Sequence, residues 1–265
     1  HHGRKVVTIL DYLLNTPEDE QKLDDVLMTG FLDTGCVEAG GPRPGMGCAG
    51  RGILTAFDFL NQFHAMEHYD QIVYDVLGDV VCGGFAVPVR RQYANAVFLV
   101  TSGESMAIYA ANNILCGIKN LNPNGSQIAG IIYNSRGVGD ESKRVEDFAQ
   151  AVHLPILARI PRSSSFAQAE KEAMTLVEKD PDSTEAKIFL ELAGKLLNQP
   201  RLYPAQPLSE EQMELFMRGD TPSQATAPVQ EKKPAVVIPP TPAAPSGTKK
   251  RALSDPFSRV PLYGC

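Results

Sequence analysis

Two cysteines, Cys48 and Cys82, lie in loops whose composition suits close approach to a ligand. Residues 35–52 hold seven glycines in eighteen positions. That density costs backbone entropy unless the backbone must come near something or turn sharply. The stretch runs into an apolar-periodic segment at Ile53. Its end is thus expected to present a helix N-terminus, which favours negative charge. Cys82 sits beside Gly83 and Gly84, seven residues beyond Asp75. Two thiolates cannot fill a tetrahedral metal site or hold a cubane cluster. Two copies of the chain about a two-fold axis would supply four. Spacing alone leaves a second reading open, in which both cysteines are small buried side chains.

These loops need a frame. Ile72–Val76, Ala96–Val100, Ile128–Tyr133 and Ile156–Ile160 are short, β-rich and almost unbroken apolar runs. They are expected to be strands covered on both faces. Helical patterns lie between and after them, over Ile53–Phe63, Ser105–Lys119, Lys143–Val152, Thr184–Asn198 and Ser209–Met217. Another short helix is expected over Thr8–Leu14. Ser209-Glu210-Glu211-Gln212 is a capping-box pattern. Such alternation predicts an α/β fold, a doubly wound and mostly parallel sheet. Ligands of such sheets bind beyond the carboxyl ends of the strands. Asp75, at the end of the first run and followed by Gly78, is placed like the Mg²⁺-linked, phosphate-sensing aspartate of P-loop nucleotidases.

Composition narrows the classes. The 265 residues carry a net charge of −6, which argues against a general nucleic-acid binder. No apolar run is long enough to span a membrane. Five cysteines are too few and too scattered for a secreted disulfide scaffold, so a reducing, cytoplasmic setting is expected. Residues 219–265 hold 9 of the 20 prolines and carry +3, against −9 for residues 1–218. The expected division is a folded domain over 1–218 and a disordered Pro/Ala/Lys-rich tail over 219–265. His64-Ala65-Met66-Glu67-His68 fits an inverted zinc-protease pattern. A strand pattern follows at once, so a solvated helix end is the expected reading. Met106 and Tyr109, at helical spacing, are expected in the core.

Two long stretches carry a resemblance. Gly40-Gly41-Pro42-Arg43-Pro44-Gly45-Met46-Gly47-Cys48-Ala49-Gly50-Arg51-Gly52 and Tyr74-Asp75-Val76-Leu77-Gly78-Asp79-Val80-Val81-Cys82-Gly83-Gly84-Phe85-Ala86 resemble the signature loops of the nitrogenase iron protein family. Ser102–Met106, Tyr109–Asn113, Asn134-Ser135-Arg136 and Pro161-Arg162 extend the likeness over roughly residues 4–217. The resemblance implies a homodimeric ATPase with one [4Fe-4S] cluster between subunits. It implies single-electron delivery to a larger nitrogenase-like catalytic component, driven by MgATP hydrolysis, with ferredoxin or flavodoxin as donor. Carried over, Cys48 and Cys82 match the cluster ligands. Asp75 matches the switch aspartate and Asp79 the carboxylate that positions or activates water. Arg51 matches the partner-docking arginine. Asn134 matches an adenine-side contact, and Pro161, Arg162, Gln168 and Glu170 match the loop over base and ribose.

The sequence also departs from the family pattern. No G-x-x-x-x-G-K-[ST] stretch occurs in these residues. On the resemblance, about fifty residues of the family pattern, with its phosphate loop, precede the first match. The chain by itself is then expected to be inactive in hydrolysis. An alternative is a non-hydrolysing iron–sulfur binding or regulatory protein of this descent. Ser163 stands where the family usually carries aspartate.

Overall fold

The computed structural model describes residues 6–41, 49–76, 86–90, 93–198 and 201–220. The expected tail lies outside these residues, apart from Gly219 and Asp220.

Three parallel strands form the centre of the fold. β3 (Val97–Thr101), β4 (Ser126–Asn134) and β5 (Ile156–Ile160) lie side by side in that order. Both neighbour pairings are parallel. The short β6 (Tyr203–Pro204) pairs antiparallel with the start of β4. The connections are α4 (Ser105–Leu121) between β3 and β4, and α5 (Glu141–Ala151) between β4 and β5. This is the strand–helix alternation that the apolar runs predict.

The core forms because one face of the sheet and three helices share apolar stripes. Leu99 of β3 and Ile128, Ile131 and Tyr133 of β4 join Ile108, Leu115 and Ile118 of α4. Val145 and Phe148 of α5 complete the layer, with Met213 and Phe216 of α9 (Glu210–Arg218). The Phe148 and Phe216 rings meet edge to face at 6.0 Å. α8 (Thr184–Leu197) packs against β5.

Ile128 and Ile131 belong to one cluster although strict alternation would send them to opposite faces. The pairing slips by one residue here, between Val97 and Phe98 of the partner strand. Gly130 takes up the slip at φ +152°. A Cβ at that position would lie 2.7 Å from the Pro155 carbonyl and 2.9 Å from Leu157 Cγ. Both conformation and space therefore demand glycine.

Asn112 fastens the C-terminal part to this core. Its Nδ2 donates to the Leu208 carbonyl at 3.0 Å, and its Oδ1 accepts from the Leu208 N–H at 2.8 Å. The side chain is buried, so the two bonds satisfy a backbone segment that lacks a strand partner. Ser209 caps α9 with the expected reciprocal box to Gln212.

A second, smaller cluster unites α1 (Ile9–Asn15) and α2 (Ala49–Gln62) through Ile9, Tyr12, Val26, Ala56 and Phe59. The two-residue strands β1 (Met28–Thr29) and β2 (Gly35–Cys36) pair between them. The Tyr12 hydroxyl donates to Asp25 Oδ2 at 2.6 Å and accepts from the Lys22 N–H at 2.8 Å.

Three expectations need correction. Ile72–Val76 is not a strand: Ile72 is 41% and Val73 86% exposed. An extended run becomes a strand only when a neighbour meets its N–H and C=O groups, and no described strand pairs with it. Tyr74 alone is anchored, against Phe57 at 5.4 Å. β3 is not covered on both faces, since Val100 is 58% exposed. Met106 and Tyr109 are outside the core, at 76% and 48% exposure. They start α4 on the side away from its buried stripe of Ile108, Ala111, Leu115 and Ile118.

Candidate functional site

The carboxyl edge of β3-β4-β5 carries three loops, and the described candidates for binding gather on two of them. Asn134 ends β4 and stands level with Ile160, the last residue of β5. The Ser135 N–H donates to the Ile160 carbonyl at 2.9 Å, which joins the loop after β4 to the loop after β5. Pro161 and Arg162 follow directly, both exposed. Gly137, at φ +75°, faces Arg162: a Cβ there would lie 3.7 Å from Arg162 Cβ. Asn134, Pro161 and Arg162 are thus brought to one edge, with the Asn134 side chain exposed.

Ser163 does a local job at this position. Its hydroxyl accepts from the Ser165 N–H at 3.2 Å and caps α6 (Ser164–Lys171). A hydrogen bond from Ser163 also holds the Glu185 carboxyl below the usual range. Gln168 and Glu170 lie on α6, exposed. Asp75 is exposed, within the unpaired 72–76 run. Cys48, Asp79 and Cys82 lie outside the described residues, and Arg51 is described only in its backbone, in the first turn of α2.

Sequence reasoning missed the residue that organises the edge. Glu141 opens α5, is only 7% exposed, and spreads its carboxylate across two loops. It accepts from the Arg136 N–H at 2.9 Å, the Gly137 N–H at 3.0 Å and the Val138 N–H at 3.4 Å, all in the loop after β4. It accepts from the Gly103 N–H at 3.1 Å, in the loop after β3. Ser135 Oγ adds a contact at 3.3 Å. Arg144, one turn along α5, grips the same loop through Ser105 Oγ at 2.9 Å and the Gly103 carbonyl at 3.5 Å. Gly103 is required by this closeness. A Cβ would run into Glu141, at 2.5 Å from its carbonyl oxygen and 2.8 Å from its Cα. The sequence signal was weak: a lone glutamate near a glycine-rich turn.

Burial pushes the Glu141 carboxyl up, but the amides of Arg136, Gly103, Val138 and Gly137 outweigh it, and the net shift is downward. A depressed folded-state value means that the native protein binds fewer protons than the unfolded chain across the carboxylate range. The stability from Glu141 is therefore complete above the unfolded value and is lost as pH falls through the folded one. Urea midpoints measured from neutral pH down through the carboxylate range are expected to fall more steeply for the native chain than for Glu141→Gln. Equal slopes would refute this.

The other sequence candidates resolve simply. α2 ends at Gln62 and His64 takes a left-handed conformation at φ +52°, so His64 and His68 do not share one continuous helix. His64 Nδ1 instead meets Glu67 Oε1 at 2.8 Å in the open. Cys116 is half-buried on α4, and burial raises its thiol. Among the described residues no group of three or more His, Cys, Asp or Glu side chains is placed to hold a metal ion. No described helix is long and apolar enough to cross a membrane.

A family model described as 4Fe-4S iron sulfur cluster binding proteins, NifH/frxC family, matches residues 1–221. The chain belongs to this family. The NifH/frxC match takes in both glycine-laden cysteine loops and the whole described sheet. Nitrogenase iron protein 2 of Methanothermobacter thermautotrophicus is 41% identical over 218 residues, 82% of this chain and 80% of the relative. The nitrogenase iron protein of Methanospirillum hungatei is 44% identical over 224 residues, 83% of this chain and 80% of the relative. Among solved structures, the MinD cell division protein of Aquifex aeolicus superposes with a TM-score of 0.53 at 18% identity. It covers 75% of this chain and 78% of its own. That likeness speaks to fold alone, an α/β architecture built on a parallel sheet.

Proposed function

We propose that this chain acts as the ATP-dependent reductase of a nitrogenase-like system. In this reading it is a cytoplasmic homodimer that passes single electrons to a larger catalytic component. The observation that carries the reading is the family match across both cysteine loops, with relatives above 40% identity over about four-fifths of the chain.

Cys48 and Cys82 of each subunit would hold one [4Fe-4S] cluster across the two-fold axis, since two thiolates per chain make four only in the dimer. When bound, the cluster supplies a one-electron store. Glycine amides of the surrounding loops can tune it by hydrogen bonding. Arg51, three residues past Cys48, would meet the catalytic component.

The described edge suits the base end of MgATP. Asn134 presents an exposed carboxamide there, able to donate and accept, and Arg162 stands over the same loop. Gln168 and Glu170 would close over base and ribose from α6. Asp75 would respond to Mg²⁺ and the γ-phosphate, and Asp79 would orient the attacking water. Cys82 lies seven positions beyond Asp75. A shift of Asp75 with the nucleotide state would therefore move Cys82, the loop-shift form of switch. Ferredoxin or flavodoxin would reload the cluster.

The test is iron and sulfide analysis of the full chain purified without oxygen. About four irons per dimer are expected. A colourless monomer would overturn the proposal.

A further inference from the structure

We infer that Glu141 is a positioning residue for the nucleotide, one that fixes the base-side loop and turns the phosphates away from it. The inference rests on the nucleotide reading proposed above, which puts the base at this edge, and adds to it the residue that holds the edge in place.

The loop after β4 would be soft if left alone. Residues 136–140 are all exposed, and two of the five are glycines with positive φ, Gly137 at +75° and Gly139 at +49°. Glu141 is carried by a rigid support, because Val145 and Phe148 of the same helix have no exposed surface. Its carboxylate gathers three consecutive N–H groups of that loop and one from the loop after β3. Glu141 thus ties the loop that follows Asn134 to the loop after β3, with Arg144 one turn along the same helix holding the second loop through Ser105 Oγ and the Gly103 carbonyl.

The same contacts decide what the loop can bind. Successive backbone N–H groups at the carboxyl edge of a parallel sheet ordinarily make an anion cradle. Here the chain's own carboxylate has filled it. The donors are spent and the position holds a buried negative charge, held ionised by those amides. A phosphate brought to this loop would find neither free donors nor a favourable field. An uncharged base would meet the exposed Asn134 amide. Glu141 thus favours one orientation of a nucleotide, base toward the β4 loop and phosphates elsewhere.

The experiment compares two probes, ADP and inorganic tripolyphosphate, on the protein carrying the family's phosphate loop ahead of these residues, with Glu141 and with Glu141→Gln. Glutamine keeps the shape but removes the charge and turns one acceptor into a donor. ADP binding is expected to weaken about tenfold in Glu141→Gln, the loss of a charge-assisted network. Tripolyphosphate binding is expected to stay the same or tighten. Amide hydrogen exchange at Gly103, Arg136 and Gly137 is expected to quicken, which reads the tie without any ligand. Should Glu141→Gln fold poorly, Ser135→Ala serves. It removes the hydroxyl that contacts Glu141 Oε2 at 3.3 Å and accepts from the Gly137 N–H at 3.1 Å, and a smaller split of the same sign is expected. Equal weakening of both probes would show mere loss of structure and overturn the inference. So would unchanged ADP binding. A native chain that binds neither probe would overturn the nucleotide reading itself and this inference with it, a result distinct from native binding that Glu141→Gln leaves untouched.

Discussion

Cys48→Ala is expected to strip the dimer of its iron. The substitution acts in both subunits, so it removes two of four thiolate ligands at once. Iron is expected to fall from about four per dimer to near zero, together with the broad visible absorbance. Cys82→Ala should behave alike. The dimer should loosen as well, because a shared cluster is also a cross-link. Cys116→Ala is the control. That thiol is half-buried on α4 and raised by burial, so it is a poor source of thiolate. It is expected to leave the iron content unchanged. Full iron in Cys48→Ala, or loss in Cys116→Ala, would move the cluster elsewhere.

Asp79→Asn is expected to separate binding from turnover. A carboxylate that orients or activates water contributes about 10²–10⁴ in rate. Phosphate release by a protein that carries the family's phosphate loop ahead of these residues should fall by that factor. Iron content should not change, since the substitution keeps the size of the side chain and touches no thiolate. Electron delivery coupled to hydrolysis should fall with phosphate release. An Asp79→Asn chain that hydrolyses at the native rate would remove Asp79 from the role. Asp75→Asn probes a different step, because a switch residue is expected to uncouple hydrolysis from electron delivery more than it slows hydrolysis.

The strongly periodic elements were legible from residues alone. β4 and β5 stand where unbroken apolar runs placed them, and α9 begins at the predicted capping box. Short elements escaped. α7 (Leu176–Lys179) has only one turn and shows itself through a capping box, Thr175 with Glu178, that is easily overlooked in a polar stretch. Ile72–Val76 shows the opposite failure. Its composition is that of a strand, but strand identity is a property of a pair, and a single run carries no information about its neighbour. Exposure at Met106 and Tyr109 was missed for a related reason, since periodicity gives spacing but does not say which of two apolar stripes faces inward.

The candidate site divides along similar lines. Asn134, Pro161 and Arg162 were named by the resemblance alone, and the parallel sheet brings them to one edge because its strand ends lie side by side. Glu141 could not be named from sequence, because its importance lies in five groups from two loops that converge only in three dimensions. No pattern of residue types marks backbone N–H groups.

The clasp between Asn112 and Leu208 spans 96 positions of sequence. Synthesis is vectorial, so the sheet and α4 leave the ribosome long before their cover does. Until residues 203–218 emerge, the nascent chain shows water the hollow that Met213 and Phe216 will later fill. That interval is when a growing polypeptide of this kind is most open to wrong association and most in need of a chaperone.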